Sequence, residues 1–294
     1  IGKSNIFETC PIEYINILLK NLYFFLDLKL ALGFTVNLIQ QDSIVKEEVT
    51  MNETLHLCQE WDKVFPLSEE VRHHKTTFTN RYGITLAADV YEPKKASGKL
   101  PAIALSGSFG AVKEQASGLY AHQLAKRGFF AIAFDPSYTG ESGGFPRNVT
   151  SPDINTEDFM AAVDFLSVQE NVDPDKIGIL GICGFGGMAL NAATLDTRIK
   201  ATVTSTMYDM TRVNANGYFD EEDSEKIRFQ KKEALSKQRT IDFKNGNYAS
   251  AGALPDEIPD GAPQYLVDYI LYYRRKRGYH PRSQGEGKGW NVTG

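Results

Sequence analysis

One turn of the chain brings together the groups of an acyl-transfer centre: "GILGICGFGG", Gly178 to Gly187. An apolar run leads into it, a short helical run follows, and Cys183 stands at the bend. A thiol at a helix N-terminus faces amide dipoles that favour its anionic form, and the thiolate is the reactive species. Read from the strand side, the pattern small-x-nucleophile-x-small puts Gly181 at its start and Cys183 at the nucleophile. Read backward from Gly186-Gly187, it puts Gly184 there instead. Phe185 stands where the pattern has a small residue. Cys183 is the one nucleophile in the turn, and so it is the candidate. The competing assignment is a small buried apolar residue at a tight strand–helix junction.

Acyl transfer also needs donors for the oxyanion. One is the amide after the nucleophile, Gly184. The second is expected from "SGSFGAVKEQ", 106–115, where the backbone of Ser108 or Phe109 qualifies. "FDPSYTGESGG", 134–144, ends another apolar run. Asp135 there either bounds the pocket or forms a turn. Tyr138 and Phe185 complete the expected substrate pocket.

These residues need a scaffold. "HKTTFTN", 74–80, and "ITLAADVYEP", 84–93, read as paired strands joined by a short turn. "PAIALSG", 101–107, "FFAIAFD", 129–135, "KIGILGI", 176–182, and "KATVTST", 200–206, read as buried parallel strands. Helices are predicted over 113–127, from a cap at Asn155 or Thr156, and over 186–195. The alternation of strand and helix makes a mostly parallel, doubly wound sheet. Beyond Tyr208 the pattern turns helical, with predicted helices over 221–243 and 263–279 and a loop rich in Gly, Pro and Asp between them. The basic run Arg274–Arg277 reads as a solvated helix end.

Taken in order, "GAVKEQASGLYAHQLAKRGF", "AFDPSYTGESGG" and "GILGICGFGGMALNAA" resemble the dienelactone-hydrolase-like branch of the α/β-hydrolases. Within it, the resemblance is to a group that includes polyketide-transferase-like hydrolases, and it covers roughly residues 70–290. It implies an α/β-hydrolase fold with a helical cap inserted over the pocket. It also implies a hydrolase or acyl transferase that works without a cofactor or metal, on an ester, lactone or thioester. The alternative is a non-catalytic member of the fold that binds a small apolar ligand under the cap. In such hydrolases an acid and then a histidine follow the nucleophile. Asp209 in "STMYDM" is the candidate acid. His56, His73, His74 and His122 precede Cys183, and His280, the one that follows, reads as a surface residue. The strands that would carry the usual acid and histidine loops are not found before Gly294. A chain shortened at its C-terminus, weakly active or inactive by itself, is therefore expected.

Three domains are expected: a leader over 1–50 that is not part of the core, with the natural start at Met51, a hydrolase core over 51–207, and a helical cap over 208–294. The leader is apolar, but Lys20, Asp27 and Lys29 interrupt it before a membrane-spanning length is reached. With a net charge of -5 and 23% charged residues, neither nucleic acid nor a membrane is expected as partner. A small-molecule substrate is expected, and self-association is left open. Three cysteines far apart in sequence suggest neither a disulfide framework nor a zinc site, and point to a reducing cytoplasm.

Overall fold

The computed structural model describes residues 53–283. The expected leader lies outside them. β1 (Val71–Thr79) and β2 (Thr85–Pro93) form the predicted hairpin, with Val71 opposite Pro93 and Thr79 opposite Thr85. The turn between them is closed by Asn80, whose side-chain oxygen accepts from the amides of Tyr82 and Ile84 at 3.0 Å each.

Four further strands follow: β3 (Leu100–Ser106), β4 (Phe130–Phe134), β5 (Val172–Ile182) and β6 (Ile199–Ser205). The sheet order is β1-β2-β4-β3-β5-β6. β2 pairs with β4 antiparallel, and β4, β3, β5 and β6 pair in parallel. Between the parallel strands run α1 (Ala116–Ala125), α2 (Pro152–Ser167) and α3 (Phe185–Leu195).

The central strands are apolar on both faces, and the two sets of side chains build two cores. Ala102, Ala104, Ile132, Phe134, Ile177 and Ile179 meet Phe159, Val163 and Leu166 of α2 and Met188 and Ala189 of α3. Ile103, Leu105, Ala131, Ala133, Leu180 and Ile182 meet Ala121 and Ala125 of α1. Alternate residues of one strand thus serve opposite layers, which is why these strands lack a polar phase.

Two boundaries differ from the sequence-based expectation. α1 begins at Ala116 and not at Lys113, because Lys113–Gln115 are engaged in tertiary contacts described below. α2 begins at Pro152, with Ser151 as N-cap. Proline suits this position because its missing N–H would have no helical partner there. Asn155 is not the cap, but its side chain turns back to accept from the Ser151 amide at 3.0 Å.

β6 is also not the buried strand predicted. It lies at the sheet edge, pairs only with β5 among the described residues, and leaves Val203 47% exposed. After β6 come α4 (Met210–Asn216), α5 (Glu225–Asn245) and α6 (Gln264–Tyr273), with a loop between the last two. Among the described residues no helix is long and apolar enough to cross a membrane.

Candidate active site

The turn from β5 into α3 bears on the register left open by the sequence. Cys183 has φ 58, the left-handed region that a residue with a side chain rarely adopts, whereas Gly184 has the ordinary helical φ of -58. The strained residue of the turn is therefore Cys183. The strain is held by the backbone around it. The Cys183 amide donates to the Ser205 carbonyl at 2.9 Å, and its own carbonyl accepts from Gly186 at 2.9 Å and Tyr208 at 3.2 Å.

Gly181 is obligatory for a different reason. A Cβ there would lie 2.2 Å from the Phe185 carbonyl oxygen, a backbone atom that cannot move aside. Phe185 itself is 1% exposed and sits in the core beneath the elbow, its ring 6.2 Å from that of Phe109. This corrects its expected place in the substrate pocket. It also explains why a bulky residue fits there: its side chain points away from the turn into a space made for it.

The amides of Gly184 and Phe109 both donate toward the Cys183 sulfur. Two backbone N–H groups, one from the loop after β3 and one from the turn itself, thus meet at the Cys183 sulfur. Of the two candidates in the loop after β3, Phe109 supplies the amide. Ser108 instead uses its side chain to bond the Tyr273 hydroxyl, which burial pushes up to about 12.

Burial also pushes the Cys183 thiol above its ordinary range, and the two amides offset this only in part. The lowered thiol expected from the helix N-terminus is therefore not found, because desolvation outweighs the amides. Tyr218 of the segment after β6 and Tyr269 and Tyr273 of α6 stand near the sulfur. Tyr218 and Tyr265 stack at 4.3 Å, Tyr208 and Tyr218 meet edge to face at 5.8 Å, and Tyr269 donates to the Tyr208 hydroxyl at 3.5 Å. A cleft of about 520 Å³ opens beside Tyr218 and Tyr265 and is lined also by Val213 and Phe219.

Asp209 is exposed and caps α4. Its carboxylate accepts from the Arg212 amide at 3.0 Å and the Thr211 hydroxyl at 2.6 Å, which hold it below the usual carboxylate range. No histidine bonds to it or to Cys183 among the described residues. His280 is not the surface residue expected, being 2% exposed. Its Nδ1 accepts from the Arg282 amide at 3.2 Å, and its Nε2 lies 3.7 Å from Asp62.

Asp135 belongs to the same buried region and does not border the pocket. It is fully buried, and its carboxylate accepts from the Lys113 amide at 2.7 Å, the Lys113 ammonium at 2.9 Å and the Glu141 amide at 2.9 Å. Gly140 must be glycine for this, since its φ is 56 and a Cβ would lie 2.3 Å from an Asp135 oxygen. Tyr138 packs its ring over Gly144 in the same loop and has no contact with the sulfur.

This buried charge cluster was not read from the sequence. Lys113 reaches Glu114 at 2.7 Å and Glu141 at 2.5 Å. Lys75 reaches Glu114 at 3.1 Å and Glu141 at 2.8 Å. Arg282 reaches Asp62 at 2.5 Å and Glu114 at 2.8 Å. Lys63 and His73 hold Asp89 at 3.0 and 2.9 Å. One signal was available: Asp89 stands in the middle of the apolar stretch Leu86–Tyr91 of β2, which is buried. A groove of about 780 Å³, lined by Cys58, Glu141, Arg147 and Arg282, lies against the cluster and away from Cys183.

The cluster makes the fold sensitive to acid. Burial opposes ionisation of Asp62, but the Arg282 hydrogen bond overrides it and brings the carboxyl down to about 2. Glu114 and Glu141 are likewise lowered, against their burial, by Lys113 and neighbouring cations. Carboxyls lowered by folding contribute stability above their unfolded pKa of about 4, and this is lost as pH falls below it. Asp135, raised by its burial, has the opposite sign but is outnumbered. The melting temperature should therefore fall steadily from pH 5 to pH 2.5. A flat profile over that range would contradict the ion pairing.

Comparison with known proteins places the chain. Residues 82–260 match the family described as X-Pro dipeptidyl-peptidase (S15 family). An uncharacterised Pseudomonas aeruginosa protein is 58% identical over 243 residues, 82% of this chain and 65% of that protein, so the chain spans about two thirds of this relative's length. The crystal structure of that protein superposes with a TM-score of 0.79 at 57% identity, over 82% of this chain and 75% of the other. A thiohydrolase of Aspergillus aculeatus is 34% identical over 137 residues, 47% of this chain and 42% of its own. An α/β hydrolase from Penicillium shares the fold at 20% identity with a TM-score of 0.53, over 68% of this chain and 65% of its own.

Proposed function

We propose that this chain, which belongs to the X-Pro dipeptidyl-peptidase (S15) family and has the α/β-hydrolase fold, carries a hydrolase or acyl-transferase site for an ester, lactone or thioester, with Cys183 as nucleophile. The observation that carries this reading is the convergence of the Phe109 and Gly184 amides on the Cys183 sulfur. The relative with a thiohydrolase's name agrees with it.

In this reading the thiol loses its proton to solvent water, and the thiolate attacks the acyl carbonyl carbon to form a C–S bond while the carbonyl π pair moves to oxygen. The carbonyl oxygen becomes an oxyanion, to which the two amides donate. The intermediate collapses, the bond to the leaving group breaks, and the alkoxide or thiolate departs and takes up a proton. Water, or an acceptor alcohol or thiol, then attacks the acyl-enzyme and regenerates Cys183. An amine leaving group needs a general acid beside it. No histidine or carboxyl group bonds to Cys183 among the described residues, which favours esters and thioesters over peptides. The helices after β6 act as a cap in this scheme, with the tyrosines of α6 covering the reacting atoms.

Incubation with p-nitrophenyl acetate and with an acyl thioester, followed by intact-mass and peptide analysis, tests the reading. An acyl adduct on Cys183 and release of the leaving group are expected. Turnover with the adduct elsewhere, or unaltered by blocking Cys183, would overturn it. Release of product should also rise with pH through the alkaline range, because burial holds the thiol up.

A further inference from the structure

We propose that the buried charge cluster centred on Lys113 is a positioning device, which holds the Phe109 amide on the Cys183 sulfur and the tyrosine wall of α6 over it. The proposal rests on Cys183 as the reacting group, but its test does not need turnover.

The loop that carries Phe109 runs from the end of β3 to the start of α1. At its first end, β3 is fixed in the middle of the sheet. Between lie Gly107 and Gly110, and within the loop one turn is closed by the Ala111 amide on the Ser108 carbonyl at 2.9 Å. Side chains add anchors along it: Ser108 bonds the Tyr273 hydroxyl and the Phe109 ring packs against Phe185. The charged anchor is at the other end. Lys113 is fully buried, and both its amide and its ammonium bind the one carboxylate of Asp135. Its ammonium also meets Glu114 and Glu141. Gln115 closes the loop on itself by accepting from the Val112 amide at 2.9 Å.

The same residues reach the end of the helical segment. The Gln115 amide group donates to the Gly278 carbonyl, and Arg282 pairs with Glu114. Gly278 lies five residues past the end of α6, the helix whose Tyr269 and Tyr273 stand near the sulfur. Loop and helix are thus tied to one cluster. Burying so many charges is an expensive way to stabilise a fold, since apolar residues of similar size often serve as well or better. What ion pairs add is fixed distance and direction.

The Phe109 amide donates to the sulfur, so its displacement should be read directly by the thiol. The midpoint of the pH dependence of Cys183 alkylation by iodoacetamide, followed by peptide mapping, is that readout. The titratable groups near the sulfur are the hydroxyls of Tyr218, Tyr269 and Tyr273, with no charged side chain bonded to it among the described residues. In Lys113→Met the midpoint should rise by roughly one pH unit, the loss of one hydrogen bond to a charged group. At a fixed pH below the midpoint, alkylation should be about tenfold slower.

If Lys113→Met does not fold, Asp135→Asn, which keeps the shape and removes the charge, carries the same expectation with a smaller shift. Leu166→Ala, which weakens the fold in the core under α2 and touches no member of the cluster, should leave the midpoint in place. A folded Lys113→Met or Asp135→Asn with the wild-type midpoint would overturn the proposal, as would an equal shift in Leu166→Ala. Absence of ester or thioester hydrolysis in the wild type would count against the proposed function alone, since the midpoint is measured without it.

Discussion

Replacing Cys183 by alanine should lower kcat/KM for a thioester by at least about 10³-fold, leaving only what the two amides and binding provide. The Cys183→Ser variant is the sharper experiment. A serine hydroxyl needs an adjacent base, because at neutral pH its anion is scarcely populated. No base contacts this position among the described residues, so serine should be nearly as poor as alanine. Steady-state kinetics on the full chain, with circular dichroism to verify folding, measures both. Substantial activity in Cys183→Ser would show that a base reaches the site from outside the described residues. Activity retained in Cys183→Ala would remove Cys183 from the mechanism.

The largest effect on stability is expected at Asp158, which has no part in the chemistry. Its carboxylate is fully buried and accepts four hydrogen bonds: from Asn80 at 2.8 Å, the Ser137 amide at 2.8 Å, the Ser137 hydroxyl at 2.7 Å and Asn155 at 2.9 Å. The donors come from the β1–β2 turn, the loop after β4 and α2 itself. Burial raises this carboxyl, and the donors from Ser137, Asn155 and Asn80 offset the rise. Asp158→Ala strands all of them in a place that water does not reach. Unpaired buried groups cost about 1–3 kcal/mol each, and partial relaxation brings the expected loss to roughly 3–5 kcal/mol. That is a large part of the ~5–15 kcal/mol that holds a domain together. Urea unfolding should show a midpoint shifted far down at unchanged slope. A loss below about 1 kcal/mol would mean that the donors find other partners.

Asp158 also illustrates a limit of reading sequence locally. By position alone, just past the expected cap at Asn155 or Thr156, it reads as a favourable charge in a first turn. The helix starts earlier, at Pro152, and Asp158 lies in its interior, facing inward as a hub.

What the sequence determined by itself was whatever neighbours along the chain decide. Apolar runs such as "PAIALSG" and "FFAIAFD" could only be strands buried on both faces, and the turn at Cys183 could only be a sharp one with Gly181 before it. Strand pairing of the hairpin and the nature of the elbow followed, as did the loop that supplies the second amide. The tertiary structure alone decided the rest. Phe109, and not Ser108, donates its amide, because that depends on how one peptide plane is turned toward an atom 74 residues away. Asp135 left the pocket for Lys113, and His280 left the surface for the neighbourhood of Asp62. A charged residue carries no periodic mark of its partner. Lys75, Lys113, Glu141 and Arg282 are far apart in sequence, and each alone reads as a surface residue. Only their meeting in three dimensions makes burial tolerable, since each charge is then offset by another. The thiol shows the same division: the helix start that favours its anion is local and legible, whereas the burial that outweighs it belongs to the fold.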